Sequence, residues 1–335
     1  MGSRPDRDRE RPSDLSGRFL GALLGLAVGD ALGTTVEFQT PGRFEPVVDM
    51  VGGGPFRLAP GQWTDDTSMA LCLAESLIED GFQPESQMKR YLRWYREGYL
   101  SSTGRCFDIG VTVREALEAF ESAGNPVAGS TDPRKAGNGS LMRLAPLPLF
   151  LYQDPATAIH LAGESSRVTH GATTAVDACR FFSGLLIGAL KGYGKEDLLA
   201  PVFSPIDGYY QAHPLCAEIA TIAQGSFKRK QPPEIRGTGY VVESLEAALW
   251  AFDRAESFED TVLLAVNLGH DADTTAAIAG QLAGAYYGVE AIPSRWRDRL
   301  AMREVIERLA WDLYRRGLED HDLAFWGQNT EREPD

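Results

Sequence analysis

The chain has 335 residues, 43% hydrophobic and 24% charged, which supplies an apolar core for one large domain or two average ones. Its formal net charge of -14 repels phosphate backbones and argues against nucleic acid as a bulk partner. The four cysteines, at 72, 106, 179 and 216, include no close pair and no CxxC, which speaks against a disulfide framework or a zinc cluster and predicts reduced thiols in a cytoplasmic protein.

In chain order, residues 1–13 (MGSRPDRDRERPS) are polar and charged and are expected to form a disordered leader or an appended expression segment. Residues 14–328 read as a single domain and 329–335 as a loose tail. The early apolar run at 19–28 is ten residues long, whereas a membrane span needs roughly 20, so no membrane segment is expected. Helical periodicity predicts helices over 16–29, 67–79, 84–97, 109–122, 155–165, 173–190, 214–225, 241–255, 258–267, 273–287 and 300–316. The best strand candidate is 46–51 (PVVDMV). Neither a βαβ alternation nor a fixed-period repeat appears, so an all-α domain is the simplest architecture.

Two helices carry small residues at four-residue spacing: Gly21, Gly25 and Gly29 in one, Ala276, Gly280 and Gly284 in the other. Glycine inside a helix costs up to about 1 kcal/mol relative to alanine, and close approach of two helices is the compensation expected. Both stripes adjoin acids, Asp30 in the first case and Asp271–Ala272–Asp273 in the second.

Two acidic clusters stand at helix starts. The first is WTDDTS (63–68), with Thr64, Asp65 and Asp66; the second is GHDADTT (269–275), with Asp271, Asp273 and Thr274. Either alone is explained by capping, since Thr and Asp are favoured N-caps and acids complement a helix N-terminus. A cap needs one side-chain oxygen, however, and each cluster has two carboxylates with threonines beside them. If the clusters meet, four carboxylates would repel unless neutralised, and two divalent cations would balance them. Oxygen donors without cysteine suit Mg²⁺ or Mn²⁺, and a pair of such ions can orient a substrate and activate water.

Seven segments in order carry a resemblance: GALLGLAVGDALGTTVEF (21–38), WTDDTSMALCLAESL (63–77), CFDIG (106–110), AGNGSLMRLAPLPL (136–149), SRVTHGATTAVDACRFFSGLL (166–186), GYVVESLEAALWAF (239–252) and NLGHDADTTAAIAGQLAGAYYG (267–288). From about 17 to 287 the chain resembles the ADP-ribosylglycohydrolase family, most closely its dinitrogenase-reductase-activating glycohydrolase branch. The resemblance implies a compact orthogonal all-α bundle around a binuclear Mg²⁺ or Mn²⁺ centre, held by Thr64, Asp65, Asp66, Asp271, Asp273 and Thr274. It puts the catalytic glutamate at Glu37 and, in the arginine-directed branch, an acid that meets the modified arginine at Asp108. It assigns Asn138, Gly139, Ser140 and Met142 to the diphosphate loop, His170 to the ribose and phosphate, and Tyr240 to the adenine. The implied activity is metal-dependent cleavage of the N-glycosidic bond between ADP-ribose and an arginine side chain. The expected partner is an ADP-ribosylated protein or a small ADP-ribosyl compound, and the protein is expected to act as a monomer.

Plainer readings stand beside these. Glu37 is also explained as a surface acid, Asp108 as a helix cap, His170 as a structural histidine and Asn138–Gly139 as an ordinary turn. The same fold also suits serine-linked, nucleobase-linked or small-molecule ADP-ribosyl substrates, and a protein that binds ADP-ribose without cleaving it. One departure is visible: the family commonly has an acid or glycine before the DADT segment, where this chain has His270.

Overall fold

The computed structural model describes residues 15–319; the expected leader and tail lie outside them. Among the described residues the architecture is all-helical, with fifteen α-helices and no strand. In chain order these are α1 (Leu15–Gly33), α2 (Asp65–Asp80), α3 (Pro84–Glu97), α4 (Val111–Ala123), α5 (Pro146–Phe150), α6 (Pro155–Arg167), α7 (Thr173–Leu190), α8 (Lys195–Leu198), α9 (Tyr209–Ala212), α10 (Ala217–Ala223), α11 (Val241–Arg254), α12 (Phe258–Val266), α13 (Ala272–Tyr287), α14 (Ser294–Arg297) and α15 (Arg303–Gly317). The eleven helices expected from periodicity all form, α3 and α7 with the expected bounds and the others with shifted ends. Four short ones, α5, α8, α9 and α14, are too brief for a periodic signal.

The antiparallel pair α1 and α13 forms the centre, and no other helix pair packs so extensively. The small-residue stripes explain why. A Cβ on Gly21 would stand 2.2 Å from the Gly284 carbonyl oxygen, one on Gly25 would stand 2.3 Å from that of Gly280, and one on Gly29 would stand 2.1 Å from that of Ala276. The backbones touch, so no side chain fits between them. The same contact line ends at Gly33, where a Cβ would lie 2.3 Å from the Asp273 Cα. Close packing along two helices therefore brings the C-terminal end of α1 against the acidic start of α13. Gly25→Val should lower stability by at least about 3 kcal/mol, the upper part of the overpacking range, because two backbones must separate. Denaturant unfolding measures this, and a loss within ~0.5 kcal/mol would mean the helices move apart freely.

By length and composition, two segments among the described residues are apolar enough to cross a membrane, Leu15–Val36 and Thr173–Leu190. Their windows are 94% and 83% buried within the protein itself, so their apolar surface is already engaged in the core.

The strand expected at 46–51 does not form. Val47 and Met50 are buried while Val48 and Val51 are 70% and 60% exposed, a pattern that does not alternate. No neighbouring segment among the described residues offers a ladder. Instead the Asn267 side chain serves the Val47 backbone from both sides, accepting from its N–H at 2.8 Å and donating to its carbonyl at 3.0 Å. One amide side chain takes the place of a partner strand.

Candidate metal centre and substrate cleft

The first acidic cluster opens α2. Its N-cap residue, Thr64, makes no side-chain capping bond. The cap comes from another helix: Asp30 of α1, fully buried, accepts from the Thr64 and Thr67 backbone N–H groups at 2.8 and 3.0 Å. It also accepts from the Thr64 and Thr67 hydroxyls at 2.9 and 2.6 Å. This carboxylate satisfies the helix start and leaves Asp65 and Asp66 free of that duty. The capping explanation of the cluster thus fails on geometry.

The second cluster behaves alike. Asp271 occupies the N-cap of α13 without a side-chain capping bond; its Oδ2 accepts from the Asn138 amide at 2.6 Å instead. The two clusters meet. The Thr64 hydroxyl lies 3.3 Å from oxygens of both Asp66 and Asp273, and the Thr274 hydroxyl lies 3.5 Å from Asp66. Ligand oxygens of Glu37, Asp271 and Asp273 lie within 4.8 Å of one another.

Such crowding perturbs every acid involved. Burial, then the charges of Asp30 and Asp271, pushes the Asp66 carboxyl well above the usual range. Burial does the same to Asp65, with Asp108 and Asp66 adding to it, and to Asp273, with Glu37 and Asp66 adding to it. Glu37 is pushed up to about 9, chiefly by burial and then by Asp108 and Asp271. Asp108 rises to about 7 through burial and the charges of Asp271 and Asp30. Asp271 is raised by burial, against hydrogen bonds from its neighbours.

The donor set fits hard cations. Asp66 Oδ1, Asp273 Oδ1 and Glu37 Oε2 are buried oxygens with no hydrogen-bond partner among the described residues. An unsatisfied buried oxygen is expensive, and a buried unpaired charge more so. A cation among carboxylates and hydroxyls supplies what these atoms lack. The acidic cluster of Glu37, Asp271 and Asp273 can hold a metal ion.

Above the acids opens a cleft of about 640 Å³. Of the residues singled out from sequence, Glu37, Asp65, Asp108, Asn138, Gly139, Met142, His170, Asp271, Asp273 and Thr274 line it. Thr64 and Asp66 lie buried among the acids beneath. Ser140 does not line it: its side chain is buried, accepting from the Ser166 hydroxyl at 2.8 Å and the Cys179 thiol at 3.5 Å. Tyr240 stands beside the cleft, 40% exposed, on the segment that pairs with Gly137. That pairing joins two loops, since the Asn138 N–H donates to the Gly239 carbonyl at 3.2 Å and the Val241 N–H to the Ala136 carbonyl at 3.1 Å.

Three non-glycine residues at the cleft adopt left-handed backbone angles: Phe38 (φ 62°), Asp108 (φ 55°) and His270 (φ 56°). Such conformations cost on the order of 1–3 kcal/mol and concentrate at functional sites. Phe38 and His270 are tied together, the Phe38 N–H donating to the His270 carbonyl at 2.6 Å and the His270 N–H to the Gln39 carbonyl at 2.8 Å. These bonds fix the Glu37 loop to the Asp271 loop. Glycine adopts such an angle readily, and here a histidine does.

Three contributors escaped the sequence reading of the site. Asp30 is one; its signal was a lone acid in the apolar run GLAVGDALG. Arg143 and Thr169 are the others. Arg143 is 1% exposed and has no carboxylate in ion-pair range among the described residues. It donates to the Gly139 carbonyl at 3.2 Å and to the Thr169 hydroxyl at 2.7 Å, over the Tyr91 ring at 4.6 Å. The clue was a single charge within LMRLAPLPLF.

Comparison with known proteins places this geometry. The ADP-ribosylglycohydrolase family model matches residues 11–322. The ADP-ribosylarginine hydrolase Tri1 of Pseudomonas putida is 45% identical over 320 residues, covering 95% of this chain and 84% of that protein. The ADP-ribosyl-[dinitrogen reductase] glycohydrolase of Rhodospirillum rubrum is 33% identical over 293 residues, covering 85% of this chain and 91% of its own. A solved structure described as an ADP-ribosylglycohydrolase-related protein complex aligns with TM-score 0.81 at 48% identity, covering 91% of this chain and 100% of that one. With its acidic helix starts, glycine-paired core helices and matching length, the chain belongs to the ADP-ribosylglycohydrolase family.

Proposed function

We propose that this protein hydrolyses the N-glycosidic bond between ADP-ribose and an arginine side chain, reversing mono-ADP-ribosylation of proteins. The observation that carries the linkage is Asp108 at the cleft, beside Glu37, in a chain 45% identical to proteins named ADP-ribosylarginine hydrolase. A carboxylate there offers a guanidinium a charge-assisted, two-pronged partner.

Two divalent cations, Mg²⁺ or Mn²⁺, would be held by Thr64, Asp65, Asp66, Asp271, Asp273 and Thr274. When bound, they supply charge that binds ribose hydroxyls and lowers the pKa of water. The chain's own residues do the rest. Glu37, between Asp108 and Asp273, takes or returns the proton that moves as water adds and the guanidine departs. An oxocarbenium-like transition state gains from the surrounding carboxylates, as in other glycoside cleavages. Asn138 orients Asp271 through its 2.6 Å bond, and the glycines at 137 and 139 let backbone approach the diphosphate.

Release of ADP-ribose from an arginine-modified protein, with Mg²⁺, with Mn²⁺ and with EDTA, tests this, with a serine-modified protein as control. Metal-dependent release from arginine alone is expected. Asp108→Ala should depress kcat/KM on the arginine substrate by about 10²-fold, equivalent to a lost charge-assisted contact at the reacting bond. Equal losses on every linkage, or release from serine alone, would remove Asp108 from its assigned place.

A further inference from the structure

The buried Arg143 sits behind the cleft without an anionic partner among the described residues, although burying an unpaired guanidinium is unfavourable. Its contacts show what it organises. One nitrogen holds the Gly139 carbonyl, and the other donates to the Thr169 hydroxyl at 2.7 Å, with the Ser165 carbonyl at 3.4 Å. The Thr169 oxygen lies 2.9 Å from His170 Nδ1. An arginine can only donate, so the hydroxyl accepts from it. The hydroxyl proton then needs an acceptor, and among the described residues His170 Nδ1 is the one within reach. The opposite arrangement, with Nδ1–H donating to the hydroxyl, would leave the proton of the fully buried threonine without a partner among the described residues.

From this chain of donors we infer that Arg143 and Thr169 are positioning residues that fix His170 in its Nε2–H tautomer, so that it presents a neutral hydrogen-bond donor to an oxygen of the ligand in the cleft. The placement of the ring agrees. His170 is 2% exposed and lines the cleft, and its Nε2 side faces Gly137 and Gly139. A Cβ on Gly137 would stand 3.3 Å from Nε2, and one on Gly139 would stand 2.8 Å from Cε1. Glycine at both positions leaves the nitrogen uncovered. Burial and the neighbouring guanidinium hold the ring's pKa down to about 3, so it stays neutral across the working range. Arg143 also anchors the Gly139 carbonyl, so one buried side chain sets both the loop and the imidazole that faces it.

The tautomer does not depend on the proposed function; its use in binding rests on the ADP-ribose reading. The test separates the two. Protein labelled with ¹⁵N-histidine, with the His170 signals assigned by their loss in His170→Gln, is expected to show Nδ1 as the unprotonated nitrogen and Nε2 as the protonated one. Thr169→Val removes the hydroxyl at nearly constant volume, and should move His170 toward the other tautomer and weaken ADP-ribose binding about five- to tenfold. Thr169→Ser should restore both. Nδ1 protonation in the unaltered protein overturns the inference, as does a valine variant in which either readout stays put, or a serine variant that fails to rescue a folded protein. Absence of ADP-ribose binding by the unaltered protein would sink the functional reading instead, and the tautomer would still be decided by the spectrum.

Discussion

Asp273→Asn is expected to abolish ADP-ribose release, by on the order of 10³-fold or more, while raising the melting temperature of protein kept in EDTA by a few °C. The two effects have one cause. Asp273 is 1% exposed and surrounded by Glu37, Asp66 and Asp271, each of which pushes its carboxyl upward. Its Oδ1 has no partner among the described residues. An asparagine keeps the shape and removes one source of repulsion, so the fold gains where the chemistry is lost. Asp66→Asn should behave in the same way, because its Oδ1 is equally unpartnered and the residue is fully buried. Added Mn²⁺ should raise the melting temperature of the unaltered protein and leave that of either variant nearly unchanged. A variant that keeps full turnover, or that melts lower in EDTA with no response lost, would overturn the metal assignment.

The second large effect concerns pH. In EDTA, stability should fall as pH rises from about 5 to about 9, and saturating divalent cation should flatten the decline. The sign follows from proton counts. Glu37, raised from 4.5 to about 9, and Asp108, raised from 3.8 to about 7, keep protons in the folded state that the unfolded chain releases near its ordinary values. The folded state therefore binds more protons across this window, and unfolding free energy drops by about 1.4 kcal/mol per pH unit for each proton in excess. The contribution is complete below about pH 4 and is lost as pH climbs through 7 for Asp108 and through 9 for Glu37. Half-buried acids paired with arginine, such as Asp49 and Asp132, are shifted downward and act below that window. Cations replace the protons and remove the dependence. Melting temperatures in EDTA and in Mn²⁺ across this range check it, and a curve that rises toward pH 9 in EDTA would contradict the crowding of unpaired carboxylates.

Most of the fold was legible because its signals are local. The 3.6-residue apolar period marked the long helices, and four-residue spacing of glycines marked α1 and α13 as surfaces for close contact. The paired acids at 65–66 and 271–273 announced chemistry of some kind, since two carboxylates exceed what a cap requires. The strand expected at 46–51 shows the limit of such signals: β-branched residues suit an extended chain, but only a distant Asn267 determines what that chain pairs with.

The sequence by itself thus determined an all-helical protein with two acidic helix starts and a set of family motifs. Only the tertiary structure decided what those acids do. Asp30, 34 residues before Thr64, caps α2 from another helix, and that long-range bond is why Asp65 at the cleft and Asp66 beneath it are free of capping. The direct backbone contact of α1 with α13 brings the two clusters together, a juxtaposition no local pattern contains. The link from Arg143 through Thr169 to His170 likewise spans a 26-residue separation. The physical reason is common to all three: hydrogen bonds and charge repulsion depend on distances in space, and folding sets those distances between residues far apart in the chain.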